Sequence, residues 1–323
     1  MKIIALAFVF LLHFYGAAQM RMLDKLRIRE AQQIMLANGE KIWKGIDKVP
    51  FTLLFLTDSG EYLVHHPAPS ADFKNLGYDS VLRSTVYWRA NQYNKGFLAT
   101  FPAVNGRHCM VVGTPENTHR TTTQWIITLL HEHFHLYTYS RPGYTPAVNQ
   151  LDLAGKDSTG MWMLNYPFPY KEAAVEAAYE RYTAALHRAV TGTGSFGKRL
   201  KQYKKARKEF KKGLTAKDYR YFSFQLWQEG LARYTEYKYL EALDAAAYEA
   251  PAAIRHIEDF TAYGVYKKQL YDAEMQQLVR LQLKDAQRVC FYAAGFAEGL
   301  LLDQLRPGWR SQAEAKRFFV EHY

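Results

Sequence analysis

The chain has 323 residues, of which 48% are hydrophobic, and a formal net charge of +11. It holds no low-complexity block, so it reads as a globular protein long enough for one large domain or two lobes with a proper core. Only Cys109 and Cys290 are available for a disulfide, and sequence spacing leaves open whether they pair or stay as buried thiols.

Lys2 precedes an apolar run over 3–15, and Gly16, Ala17 and Ala18 supply small residues before Gln19. Residues 1–18 therefore read as a signal peptide cleaved near Ala18–Gln19, which implies a secreted or periplasmic protein. No later stretch approaches eighteen uninterrupted apolar residues, so the mature chain is expected to be soluble.

Residues 20–44 have the spacing of a helix, with Leu23, Leu26, Ala31, Ile34 and Met35 on a drifting apolar face. The period then changes to two. Residues 51–57 and 61–65 flank Asp58-Ser59-Gly60 as a hairpin, and 85–89, 96–104 and 107–113 read as further strands. Asn105-Gly106 between the last two is a tight-turn signal. From Thr121 the chain turns helical. Three threonines cap a helix over about 124–139 that Pro142-Gly143 stops, and a loop-like segment runs to Tyr170. Helices are predicted over 171–190, 198–212, 219–249 and 272–305. Strands followed by helices argue for an α+β fold. A small, mostly antiparallel sheet lobe spans 19–120, and a larger helical lobe spans 121–323.

The helix over 198–212 holds nine Lys or Arg against Glu209 alone, with Leu200, Tyr203, Arg207 and Phe210 at helical spacing. It could meet an anionic surface, either lipid headgroups or an acidic polymer. A solvated face is the plainer reading. Nucleic acid is a poor partner, because no nucleic-acid-binding motif is present.

Chemistry concentrates at His131-Glu132-His133-Phe134-His135. Four residues apart on a helix, His131 and His135 leave the same face, as two ligands of a tetrahedral zinc must. Glu132 lies roughly 100° around the helix, beside the metal, where it can take a proton from an activated water. His133 faces away and reads as a surface histidine or one behind the ligands.

The third ligand is more distant. Thr138 and Arg141 stand where a metzincin needs Gly and His, and no Glu occurs between His133 and Lys171. Glu229 is preferred, in Trp227-Gln228-Glu229-Gly230-Leu231-Ala232-Arg233-Tyr234. A glycine inside a helix costs about 1 kcal/mol relative to Ala, so Gly230 asks for a reason. Close packing of this helix against the motif helix would provide one. Glu298, Glu176, Asp152 and Asp157 remain alternatives. Arg233 and Glu236 can orient ligands from behind, or form an ordinary surface pair.

With HExxH and the distant Gln228-Glu229-Gly230-x-Ala232-x-Tyr234, the chain resembles the gluzincin metallopeptidases over 121–141 and 224–240. It departs from the best-known members by the 93 residues between His135 and Glu229. The resemblance implies a zincin-like fold with a cleft between the sheet-bearing and helical lobes. It also implies one catalytic Zn2+ on His131, His135 and Glu229, Glu132 as general base, and a peptide or protein substrate. The aminopeptidase signature G-x-M-E-N is not present. The stabiliser of the developing oxyanion is unassigned, with Tyr292, Tyr234 and His256 as candidates. The strand over 107–113 is expected to be the edge along which a peptide lies. Two rival readings stand beside peptide hydrolysis. One keeps the zinc for a different amide or ester, and the other is a secreted binding protein that acts through its basic helix.

Overall fold

The computed structural model describes residues 19–313 and 315–323; the segment read as a signal peptide lies outside the described residues. Helix α1 (Met22–Ile42) buries Ile28, Ala31, Ile34 and Met35. It also buries Arg27, which donates to Thr122 Oγ1. Six strands follow: β1 (Leu53–Thr57), β2 (Gly60–Val64), β3 (Lys74–Asp79), β4 (Ser84–Arg89), β5 (Leu98–Val104) and β6 (Arg107–Gly113). They form one sheet in the order β3-β4-β2-β1-β6-β5. Four of its five pairings are antiparallel, while β1 and β6 run parallel.

Both expected hairpins are present. At the second, Asn105 and Gly106 have φ of 50° and 68°, the positive pair that a tight two-residue hairpin turn requires. Strand β3 was not expected. Its side chains are exposed or nearly so and it pairs with β4 alone, so it carries no apolar alternation to read. The expected edge at 107–113 is also corrected: β6 is paired on both sides, and the edges are β3 and, next to β6, β5.

Side chains alternate across the sheet, as the pleat demands. Leu53, Phe55, Tyr62, Val64, Met110 and Val112 join the main core with the helices, and Leu54, Leu56, Leu63, Cys109 and Val111 form a smaller cluster on the other face. Cys109 and Cys290 are both buried and free, and burial pushes each thiol up to about 12.

Helix α2 (Thr122–Ser140) opens on a capping box. Thr121 Oγ1 accepts from the Gln124 backbone amide and Gln124 Oε1 accepts from the Thr121 amide. Gly143, at φ 73°, ends the turn after α2 and precedes α3 (Tyr144–Gln150). Helix α4 (Trp162–Asn165) also lies in the stretch expected as loop. Then come α5 (Ala173–Thr191), α6 (Phe196–Lys212) and α7 (Ala216–Gln225). A π-helical turn at Leu226–Gly230 leads into α8 (Leu231–Ala245), so the helix expected over 219–249 is interrupted and shorter.

After α9 (Ala252–Arg255), the helix expected over 272–305 is three: α10 (Tyr263–Arg280), α11 (Leu283–Ala286) and α12 (Cys290–Leu305). The break is held from outside. Glu176 accepts from the backbone amides of Leu283 and Lys284, each at 2.9 Å, and so satisfies the free donors at the start of α11. The fold is α+β, an N-terminal mixed sheet followed by a larger helical portion. No helix among the described residues is long and apolar enough to cross a membrane.

Gly230 does serve a close approach, but its partner is α12, not α2. A Cβ on Gly230 would lie 2.3 Å from Gly295 Cα, and one on Gly295 would lie 2.4 Å from the Leu226 carbonyl oxygen. Backbone meets backbone here, so neither side can yield by changing rotamer. Gly230→Ala or Gly295→Ala should therefore destabilise the protein by about 3 kcal/mol or more, at the upper end of overpacking costs. Urea unfolding measures it, and a change within about 0.5 kcal/mol of wild type would contradict the contact.

Candidate metal centre

Helix α2 is apolar on nearly every side, with Ile126, Ile127, Leu129, Leu130 and Phe134 in the core. Its neighbours carry the polar motif inside with them. His131, Glu132, His133 and His135 are 7%, 4%, 0% and 6% exposed, so each needs an interior partner.

The partners differ. His131 and His135 turn Nε2 toward Glu229 Oε2, at 3.7 Å and 3.6 Å. Behind them, His131 Nδ1 lies 2.6 Å from Glu236 Oε1, and His135 Nδ1 lies 2.9 Å from Gln228 Nε2. The Gln228 amide can donate its NH2 to Nδ1. Turned over, it accepts Nδ1–H, the tautomer that frees Nε2 for a metal. Tyr144 Oη holds the other end of that amide at 2.9 Å, donating to Oε1 in the first orientation and accepting from the NH2 in the turned one. Arg233 Nη1 donates to both oxygens of Glu236, at 3.0 Å and 2.7 Å, and Arg233 Nε lies 3.2 Å from Glu274 Oε1. Glu236 is buried and Arg233 partly so, and the pair supports His131 from behind instead of lying on the surface.

The π turn matters to this geometry. Glu229 and Gly230 are adjacent, yet one faces the imidazoles and the other rests on Gly295. An extra residue in the turn widens it, and such bulges recur where a helix presents a functional group.

His131, His135 and Glu229 each offer a ligand atom, and these atoms all lie within 4.8 Å of one another. Zinc bonds of about 2.0–2.1 Å in tetrahedral geometry place ligand atoms about 3.3 Å apart. The two imidazole–carboxylate separations of 3.6 and 3.7 Å fit that within a small inward movement, and two imidazoles with one carboxylate suit zinc with a fourth position open. Electrostatics agree. Burial alone would depress His131, but the Glu229 and Glu236 carboxylates outweigh it and hold the metal-free imidazole up at about 9. Burial would raise Glu229, yet hydrogen bonds and charge from both histidines hold it well below the usual carboxylate range. The centre attracts positive charge.

Glu132 sits beside this triad and has its own anchor. Thr100 Oγ1, from edge strand β5, donates to Glu132 Oε2 at 2.8 Å. Tyr292, from α12, stacks on His131 with ring centroids 6.4 Å apart and planes 12° apart. Arg288 donates to the Tyr292 hydroxyl at 3.0 Å, while burial and the nearby Glu229 push that hydroxyl's pKa up. The other oxyanion candidates are elsewhere: Tyr234 donates to Asp303, and His256 is exposed at the C-cap of α9. His133 is neither a surface residue nor part of the centre. It donates to the Val49 carbonyl at 3.0 Å and stacks on Phe51, and burial lowers its pKa to about 4.

The rival ligands are all engaged away from the triad. Glu298 accepts from Tyr182, Tyr203 and Arg207, and Glu176 caps α11. Asp157 accepts from the Trp162 amide, and Asp152 is an exposed residue 4.0 Å from Lys217. Thr100, Tyr144, Gln228 and Glu274 were not assigned roles from sequence. Gln228 alone carried a signal, as the residue beside Glu229 in the second motif.

Zinc affinity should follow this list. Glu229→Ala should lower it by orders of magnitude, and Gln228→Ala or Glu236→Ala by about 10- to 100-fold, as residues that orient metal-binding histidines typically do. Glu298→Gln should leave it unchanged. Competition titration with a chromophoric chelator reads all four, and equal affinity in Glu229→Ala and wild type would remove Glu229 from the centre. Comparison of the chain with family models, with curated proteins and with solved structures returned no match.

Proposed function

We propose that the protein is an exported zinc metallopeptidase of gluzincin type, with Zn2+ held by His131, His135 and Glu229. The observation that carries this reading is the convergence of those three ligand atoms with Glu132 on the adjacent helical position. The apolar run and small-residue exit over 1–18 support export. Zinc at this position would polarise a carbonyl and bring the pKa of a ligated water toward neutrality.

The chain's own residues supply the rest. Glu132, oriented by Thr100, accepts the water proton and returns it to the leaving amine. Tyr292 donates its hydroxyl hydrogen to the developing oxyanion, and its raised pKa keeps that proton in place at working pH. Arg288, bonded to the same hydroxyl, fixes its direction. The free edge of β5 lies beside Glu132 through Thr100 and offers backbone amides and carbonyls to an extended peptide. An edge strand favours peptide over a small ester or amide, because a small substrate has no use for a backbone ladder.

Two variants test the roles on a broad peptide library read by mass spectrometry. Glu132→Gln should retain zinc and lose about 10²- to 10⁴-fold in kcat, the range for a general acid–base group. Tyr292→Phe should lose about 10²- to 10³-fold in kcat with KM little changed, the loss for one oxyanion donor. Zinc-loaded Glu132→Gln with the turnover of wild type, zero included, would reject the peptidase reading.

A further inference from the structure

A second concave site lies away from the metal centre, between α6, α12 and the C-terminal residues 320–323. Its volume is about 320 Å³, within the range of small-molecule sites, and none of the metal-centre residues lines it. One wall is cationic. Lys204, Lys208 and Lys211 recur at helical spacing on α6, so they share a face. No carboxylate among the described residues lies within ion-pair reach of any of the three. The opposite wall is apolar: Leu301 and Leu302 are nearly buried, and Leu305, 37% exposed, leads out to solvent.

The floor explains why this basic helix docks at all. Arg207 points inward and donates from Nε to Glu298 Oε1 at 2.8 Å, with Nη2 3.0 Å from Glu321 Oε2. Tyr182 and Tyr203 complete the Glu298 oxygen, at 2.6 Å and 2.8 Å. The inward cation is therefore compensated by carboxylates within the protein and Lys211 lies over the Tyr219 ring, 4.3 Å from its centroid, whereas Lys204 and Lys208 face the cavity with no carboxylate in reach. Four cations against two carboxylates leave the cavity with a net charge of +2.

We infer that this cavity binds an anionic amphiphile, a medium-chain fatty carboxylate, with its head against Lys204 and Lys208 and its chain along Leu301, Leu302 and Leu305. A volume of about 320 Å³ lies at the small end of small-molecule sites, which favours a medium-chain over a long-chain carboxylate. A flat anionic surface or an acidic polymer would use the lysines but leave the recess between them and Leu305 unfilled. A neutral apolar molecule would leave the lysines without one.

Calorimetric titration of the full-length protein with decanoate, below its micellar concentration, tests this. One saturable site is expected, weakened as salt rises, with acetate and decyltrimethylammonium binding at least tenfold less tightly. Lys204→Glu with Lys208→Glu should weaken decanoate binding tenfold or more at an unchanged melting temperature, since both lysines are exposed. Leu305→Asp should weaken it by a similar factor. Absence of a saturable decanoate site in the folded protein would overturn the assignment, as would acetate binding as tightly as decanoate. So would binding indifferent to both variants. Binding to phosphatidylglycerol vesicles that the lysine variant abolishes, with no decanoate site, would also overturn it and make α6 a membrane-contact face.

Discussion

Placing two ionisable imidazoles and a carboxylate inside a protein is unfavourable unless each polar atom finds a partner, and the surroundings of α2 meet that demand. His131 and His135 each have Nδ1 held from behind, one by Glu236 and one by Gln228, so both Nε2 atoms face the same carboxylate. Those supports have supports of their own in Arg233 and Tyr144. Three of these partners, with Glu229 itself, come from the short stretch 228–236. The position of that stretch therefore controls the centre, and it is set by the backbone contact between the π turn and α12 at Gly230 and Gly295.

Helix α12 is the common frame of the molecule. Its first turn carries Tyr292 to the ring of His131, its middle offers Gly295 to the π turn, and its later part sends Glu298 to Arg207 of the basic helix. The hydroxyl of Tyr234, on α8, is tied to Asp303 on α12, and Arg310 reaches the same carboxylate. Motion of α12 would be felt at the metal centre and at the second cavity together.

Much of this was legible in the residues. Spacing placed His131 and His135 on one face, the threonines announced the capped start of α2, and Asn105-Gly106 announced its hairpin. Glu229 stood out because a glycine followed it in a helix. Gly230 marks a close approach, but to α12 and not to α2, since periodicity shows that a helix is approached and not by which neighbour. The π turn left no trace, because an extra residue in one turn of a helix changes no composition. Strand β3 buries too little to alternate, and the break before α12 depends on Glu176, more than a hundred residues earlier. Glu298 looked like a ligand because it is a carboxylate in an apolar helix. Its partners, Tyr182, Tyr203 and Arg207, are brought to it by tertiary packing alone.

His131, His135 and Glu229 are proposed to form one metal site. X-ray absorption at the zinc edge of protein loaded with one equivalent measures that site directly. Two imidazole nitrogens and one carboxylate oxygen at about 2.0–2.2 Å, one further light atom and no sulfur are expected. A sulfur shell at about 2.3 Å, or a shell of oxygens with fewer than two imidazoles, would contradict it.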